Sequence, residues 1–240
     1  MNSCHNKNIK INIENIKKSY DDIVVLDNMD IKVFEGEFVS ILGPSGCGKS
    51  TIFNIIANLI DYDSGKVDIN GKLSYMYQKD LLLPYKTIID NVTLPMILNK
   101  EKKYIAYEKV KEYFNIFGLK GYENKYPSEL SGGMKQRANF LRTYVASSDI
   151  MLLDEPFGAL DSITKSSMQK WLSEVKSKVN STILLITHDI DEAIMMSDRI
   201  YVISKKPSRV RKEFIIDKKY YNADKIENIF NLKKEILELL

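Results

Sequence analysis

The chain has 240 residues, 44% of them apolar and 28% charged, with a net charge of +3. That length makes one or two domains with enough chain to bury a core, and so mild a basic excess, spread along the chain, does not point to nucleic acid. No apolar run exceeds four residues, whereas a membrane-spanning helix needs about 18.

The N-terminus, Met1 to Asn6, is polar and has no signal-peptide core. This predicts a cytoplasmic protein that reaches a membrane only through a partner. The two cysteines, Cys4 and Cys47, form neither a metal-ligand pattern nor a disulfide framework.

Residues 8–42 read as short strands: Ile9, Ile11 and Ile13 alternate with polar residues, the period of a half-buried strand. Glu35-Gly36-Glu37 is a turn, and Phe38 to Leu42 is an apolar strand entering a glycine-rich loop. From Lys49 to Ile60 the apolar residues Ile52, Phe53, Ile55, Ile56, Leu59 and Ile60 fall at helical spacing. Two strand-like pieces follow, at 66–69 and 73–77.

Residues from about 86 to 146 are rich in Lys, Glu and Tyr, with helical spacing at Val110, Tyr113, Phe114 and Phe117. They predict an inserted helical subdomain. Strands return at 150–153 and 182–186, helices at 162–178 and 189–197, and a closing hairpin at 199–203 and 209–216. Residues 222–240 predict an amphipathic helix, either docked on the body or free for a regulatory partner. Strands alternating with helices imply one α/β domain over residues 1–240 with a mainly parallel sheet.

Gly43-Pro44-Ser45-Gly46-Cys47-Gly48-Lys49-Ser50-Thr51 fits the phosphate-binding loop pattern, between the strand and the helix the pattern requires. Glycines let backbone N–H groups converge on phosphate oxygens, and the following helix N-terminus adds about half a positive charge. Lys49 can reach the outer phosphates, and the Ser50 hydroxyl can ligate Mg²⁺, with Thr51 behind it. Alone, the loop names a nucleotide and no reaction. Cys47 is a small side chain in a tight turn, or a thiol open to alkylation that ATP would protect.

Ile150 to Leu153 is an apolar strand ending in Asp154 and Glu155. Its C-terminal end is where α/β sheets place ligands. Asp154 is a candidate Mg²⁺ ligand and Glu155 a candidate general base; the alternative is a strand end with two exposed acids. His188 follows the apolar strand 182–187 at the same kind of end. There it either senses the γ-phosphate or plays a structural part. Leu130-Ser131-Gly132-Gly133-Met134-Lys135-Gln136-Arg137 reads as a Ser-Gly-Gly turn entering a helix at Met134, a second anion-binding helix N-terminus. Two copies arranged head to tail can bring both helix ends to one γ-phosphate.

This last segment resembles the signature of ABC ATPases, and the other family motifs follow in order. Gly43–Thr51 matches Walker A, Gln78 the Q-loop, Asp154-Glu155 Walker B, Gly158-Ala159-Leu160-Asp161 the D-loop and His188 the switch histidine. Tyr20 matches the aromatic that stacks on adenine, although read by itself it is a core residue.

The resemblance implies a P-loop NTPase core with an N-terminal antiparallel β-subdomain. It implies ATP bound by residues 43–51, Tyr20, Ser131, Gly132, Gly133, Gln136 and Asp161, and Mg²⁺ held by Ser50, Gln78 and Asp154. Catalysis falls to Glu155, His188, Lys49 and Gln78.

Within the family the chain is most similar to the nitrate, sulfonate and taurine importers, a group that includes importers of a thiamine pyrimidine precursor. The stretches that carry this are 78–87, 124–127, 130–137 and 204–210. The partners implied are a second ATPase subunit, an integral membrane permease and, indirectly, an extracytoplasmic solute-binding protein. The resemblance places the chain on the inner face of the membrane through the permease. Leu81, Leu82, Leu83 and Tyr85 are either an exposed patch for that permease or packing for the helical subdomain.

An ABC ATPase without a permease, serving DNA repair, translation or cluster assembly, is the rival. The stretch between Thr51 and Ile150 leaves no room for the coiled coil of DNA-repair types, and one phosphate loop is too few for translation types. The intact Asp154-Glu155 pair argues against a binding module without turnover. Asn139, Leu141 and Thr143 depart from the small residues usual after the signature, which puts the local helix packing in question.

Overall fold

The computed structural model describes residues 8–79, 81–176, 178–179, 181–216 and 226–240. Cys4 and the polar N-terminus, the start of the helix expected from 222, and single positions of the expected 78–87 and 162–178 segments lie outside the described residues. The chain forms two compact units, one of Met1–Gly71 with Ser181–Leu240 and one of Lys72–Asn180.

In the first unit, β1 (Ile9–Tyr20) pairs antiparallel with β2 (Ile23–Phe34) and with β4 (Ser64–Ile69), giving the order β2-β1-β4. The alternating isoleucines of β1 are part of the cause: Ile11 and Ile13 are buried, and Ile16 is buried beyond the register shift that follows Ile13. A second layer has β3 (Phe38–Leu42) at its centre, parallel to β7 (Thr182–Thr187) on one side and to β8 (Arg199–Ile203) on the other. β9 (Val210–Ile215) closes it antiparallel to β8. Every residue of β3 and β7 is buried, as expected of unbroken apolar runs in a parallel sheet. The one polar residue of β3, Ser40, is satisfied by a 2.6 Å hydrogen bond to Ser197.

Helix α1 (Lys49–Ile56) follows the glycine loop and ends four residues earlier than its apolar spacing predicts. Asn58 takes a left-handed conformation with φ 54°, its N–H donates to the Ile55 carbonyl, and the Leu59 N–H reaches back to the Asn54 carbonyl at 2.8 Å. That pair of bonds is a Schellman stop. Helix α6 (Ile190–Met196) carries Asp189 as its N-cap. Helix α7 (Ile226–Leu239) docks on the same unit: Ile236 is fully buried in a cluster with Leu42, Ile200, Val202 and Phe214, and Ile229 and Leu232 pack against it.

In the second unit, β5 (Leu73–Met76) pairs parallel with β6 (Ile150–Asp154). Helices α2 (Ile88–Leu98), α3 (Lys103–Ile116), α4 (Gly132–Ala146) and α5 (Ser162–Lys176) make up the rest, with a 3-10 turn at Pro127–Glu129. The atypical residues of α4 pack without breaking it. Leu141 is buried beside Phe140, whose ring meets Trp171 edge-on at 5.5 Å, and the Thr143 hydroxyl donates to the Asn139 carbonyl at 2.9 Å.

The α2–α3 contact contains a carboxylate whose charge supports the fold. Asp90 accepts from Tyr107, Lys103 and Thr87. Partial burial pushes its pKa up, but the bonds from Tyr107, Lys103 and Thr87 together outweigh it and bring the pKa down to about 2, from an ordinary 3.8. The folded pKa lies below the unfolded one, so this contribution is complete above about pH 4 and is lost as pH falls toward 2. Between pH 5 and 2 the melting temperature of Asp90→Asn should therefore fall less steeply than that of the wild type, as calorimetry can read.

Candidate nucleotide site

β3 delivers the chain into the phosphate loop at Gly43. Gly46 and Gly48 take φ of 74° and 109°, backbone angles that side chains rarely tolerate. Gly48 is the N-cap of α1, so the first amides of that helix open onto the loop. Lys49 is buried, and its ammonium donates to the carbonyls of Gly43 at 2.8 Å and Pro44 at 2.9 Å, bridging the loop from the inside. Ser45 and Ser50 are exposed. Cys47 is 2% exposed, and burial pushes its thiol pKa up. The thiolate is the reactive form, so the structure does not favour the alkylation considered above. Cys47 should react with N-ethylmaleimide much more slowly than glutathione even without nucleotide; rapid labelling seen by mass spectrometry would contradict this burial.

Leu42 of β3 lies opposite Thr187 of β7 in a parallel pair. Gly43 and His188 therefore leave the same edge of the sheet, and His188 is exposed there. Thr187, just before it, is tied down: its hydroxyl donates to Glu192 at 2.5 Å and accepts from the Asp189 N–H at 3.0 Å. Tyr20, at the end of β1, is 46% exposed, with the Lys18 ammonium 5.1 Å from its ring. The structure thus places Tyr20 at the surface and not in the core.

In the second unit, Met76 pairs with Leu153, so Gln78 and the Asp154-Glu155 pair also leave one edge together. The Tyr75 hydroxyl donates to Asp154 at 3.1 Å, and burial with the adjacent carboxylate keeps that hydroxyl neutral by pushing its pKa up. The Gln78 amide donates to Glu155 at 3.2 Å. Glu155 itself has φ 42°, a left-handed conformation uncommon outside glycine and asparagine.

Ser131 is the N-cap of α4 and accepts the Met134 N–H at 3.3 Å. The helix starts at Gly132, two residues earlier than Met134, because the glycines are themselves its first turn. A Cβ at Gly133 would come within 3.1 Å of Thr164. Two site candidates have other work in this structure. The buried Gln136 amide donates to the Pro156 carbonyl. Asp161 accepts the N–H groups of Ile163 and Thr164, capping the first turn of α5, and the bonds from Thr164 hold its carboxyl below the usual range.

The leucine patch is split: Leu81 and Tyr85 are 50% and 72% exposed, while Leu82 is buried. Two side chains hold this segment. The Asn91 side chain accepts the Leu83 N–H and donates to the carbonyls of Leu83, Lys86 and Thr87. Arg142 donates to the Leu81 carbonyl at 2.7 Å while Asn139 accepts from its other arm, which gives the atypical Asn139 a task. No local spacing signals either.

The sequence model of the ABC transporter family matches residues 26–158. The formylaminopyrimidine import ATP-binding protein ThiZ of Halalkalibacterium halodurans is 44% identical over 223 residues, 90% of each chain. The chain belongs to the ABC transporter family. The aliphatic sulfonates import ATP-binding protein SsuB of Bacillus cereus is 37% identical over 231 residues, covering 92% of this chain and 90% of the relative. Among solved structures, a dimeric bacterial ABC transporter cassette superimposes with a TM-score of 0.73 at 31% identity, covering 86% of this chain and 99% of the other. The dimeric post-hydrolysis state of an ATP-binding cassette with ADP and Pi bound superimposes with a TM-score of 0.72 at 30% identity, over the same shares. The family binds and hydrolyses ATP, and the fold here is that of its cassettes.

Proposed function

We propose that this chain is the ATP-hydrolysing subunit of an ABC importer, working head to tail with a second subunit and coupled to a membrane permease. The observation that carries the reading is Glu155, bonded by Gln78 at a strand end, in a chain that also folds a complete phosphate loop. Relatives named as import ATP-binding proteins support the importer setting.

Amides at the start of α1 and residues 43–51 take the phosphates, and the Lys49 ammonium exchanges its loop carbonyls for phosphate oxygens. Tyr20 offers its ring to adenine. Ser50, Gln78 and Asp154 are hard oxygen donors with a single carboxylate among them, the sparse set that suits Mg²⁺ shared with phosphates, and the Tyr75 hydroxyl donates to Asp154. When bound, Mg²⁺ neutralises charge on the phosphates. Glu155 takes the proton of the attacking water, and His188 and Gln78 orient that water against the γ-phosphate. Ser131, Gly132 and Gly133 of the partner copy present the α4 N-terminus to the same phosphate, with Asp161 and Gln136 holding the loops around it.

Among the described residues no helix is long and apolar enough to cross a membrane. The exposed Leu81 and Tyr85 are the surface on which a permease docks. The solute class is that of sulfonates, nitrate, taurine or a thiamine pyrimidine precursor, delivered by an extracytoplasmic binding protein. The test is purification of the tagged chain from native membranes. An integral membrane subunit should copurify in constant ratio and raise ATP turnover. Absence of such a subunit, with ATPase activity intact, would return the chain to the permease-free class. Uptake assays with the candidate solutes then choose among them.

A further inference from the structure

The turn between β8 and β9 lies against the phosphate loop within one unit. Ile203 ends β8 so close to Gly43 that a Cβ there would sit 2.6 Å from the Ile203 side chain. Ser208, in the turn, is 0% exposed and bonded through all three of its polar groups. Its N–H donates to the Val25 carbonyl at 2.9 Å, its carbonyl accepts the Asp27 N–H at 3.0 Å, and its hydroxyl donates to the carbonyl of Cys47. The turn is itself braced. The Ser204 N–H donates to the Arg209 carbonyl, the Ser204 hydroxyl accepts the Arg209 N–H, and Arg209 pairs with Asp27. Ser208 is a fixed donor aimed at the phosphate loop.

The Cys47–Gly48 peptide is where that donor matters. In a trans peptide the C=O and N–H point in opposite directions. A Cys47 carbonyl turned toward Ser208 therefore turns the Gly48 N–H away from it. Gly48, at φ 109°, is the residue type for which rotation of the preceding peptide costs little. A rotated peptide would replace a donor with a carbonyl oxygen, which repels phosphate. The hydroxyl of Ser208 opposes that rotation.

We infer that Ser208 is a positioning residue for the nucleotide, holding the Cys47 carbonyl so that the Gly48 N–H stays turned toward the phosphates; this rests on the reading of residues 43–51 as the ATP site. The test uses the full-length chain. Isothermal titration with ADP and with adenosine, and the Gly48 amide resonance with and without ADP, are compared for wild type and Ser208→Ala. Losing a hydrogen bond that orients a donor to a charged group should weaken ADP binding about tenfold. Adenosine binding should be unchanged, and the melting temperature without nucleotide should fall by only a few degrees, the ordinary cost of one buried hydrogen bond. The downfield move of the Gly48 amide proton on ADP binding should collapse.

Equal weakening toward adenosine, or an unchanged ADP affinity and Gly48 shift, overturns the role. If Ser208→Ala does not fold, Ser208→Cys keeps the volume with a weaker donor. An intermediate loss of ADP affinity then supports the role, and wild-type affinity overturns it. A wild-type chain that binds no ADP removes the ATP site and this role together; a wild type that binds ADP no better than the variant removes the role alone.

Discussion

Glu155→Gln is expected to bind ATP, to remain as an ATP-held dimer and to turn over at least about 100-fold more slowly than the wild type, the ordinary share of a general base. The amide is the same size as the carboxylate but accepts no proton from water. In the structure Gln78 donates to Glu155 at 3.2 Å, and the glutamine oxygen can still accept that bond, so the strand end keeps its shape. The φ of 42° at residue 155 is no harder for glutamine than for glutamate. Loss of turnover in this variant therefore reports proton transfer and not folding. Steady-state phosphate release measures the rate, and size-exclusion chromatography with ATP measures the dimer. Near wild-type turnover would remove Glu155 from the base role.

Ser131→Arg, placed in the Glu155→Gln background, should bind ATP normally and stay monomeric. Ser131 is exposed and caps α4. Arginine removes the cap, at a cost of about 1 kcal/mol, and sets a cation against the positive end of a helix. It also puts a long side chain where the partner's γ-phosphate is to be received. Ser131→Ala separates the contributions: it loses the hydroxyl, and with it the cap, but adds neither bulk nor charge, and should dimerise far more than Ser131→Arg. A Ser131→Arg protein that dimerises like its parent would show that the α4 N-terminus does not face a nucleotide held by the other copy.

The glycine-rich loop, the two acids where β6 ends and the Ser-Gly-Gly helix start were all legible in the sequence. Each rests on local backbone chemistry within a few consecutive residues. The buried parallel strands were legible because an unbroken apolar run has one stable place in an α/β layer. Helix ends were less so. The stop at Asn58 depends on a single left-handed residue, while the apolar spacing runs on to Ile60. Gln136 and Asp161 sit in the right motifs, yet the structure engages one with Pro156 and the other with the first turn of α5.

What the sequence determined by itself was the family, the glycine-rich loop and the order of the motifs, because these are properties of short segments. What only the tertiary structure decided was how those segments are held. Tyr75 reaches Asp154 across 79 residues of chain, Arg142 reaches Leu81 across 61, and Ser208 reaches Cys47 across 161. Hydrogen-bond partners so far apart leave no periodicity or spacing to read. A serine in a polar turn looks like any other until folding buries it beneath the phosphate loop.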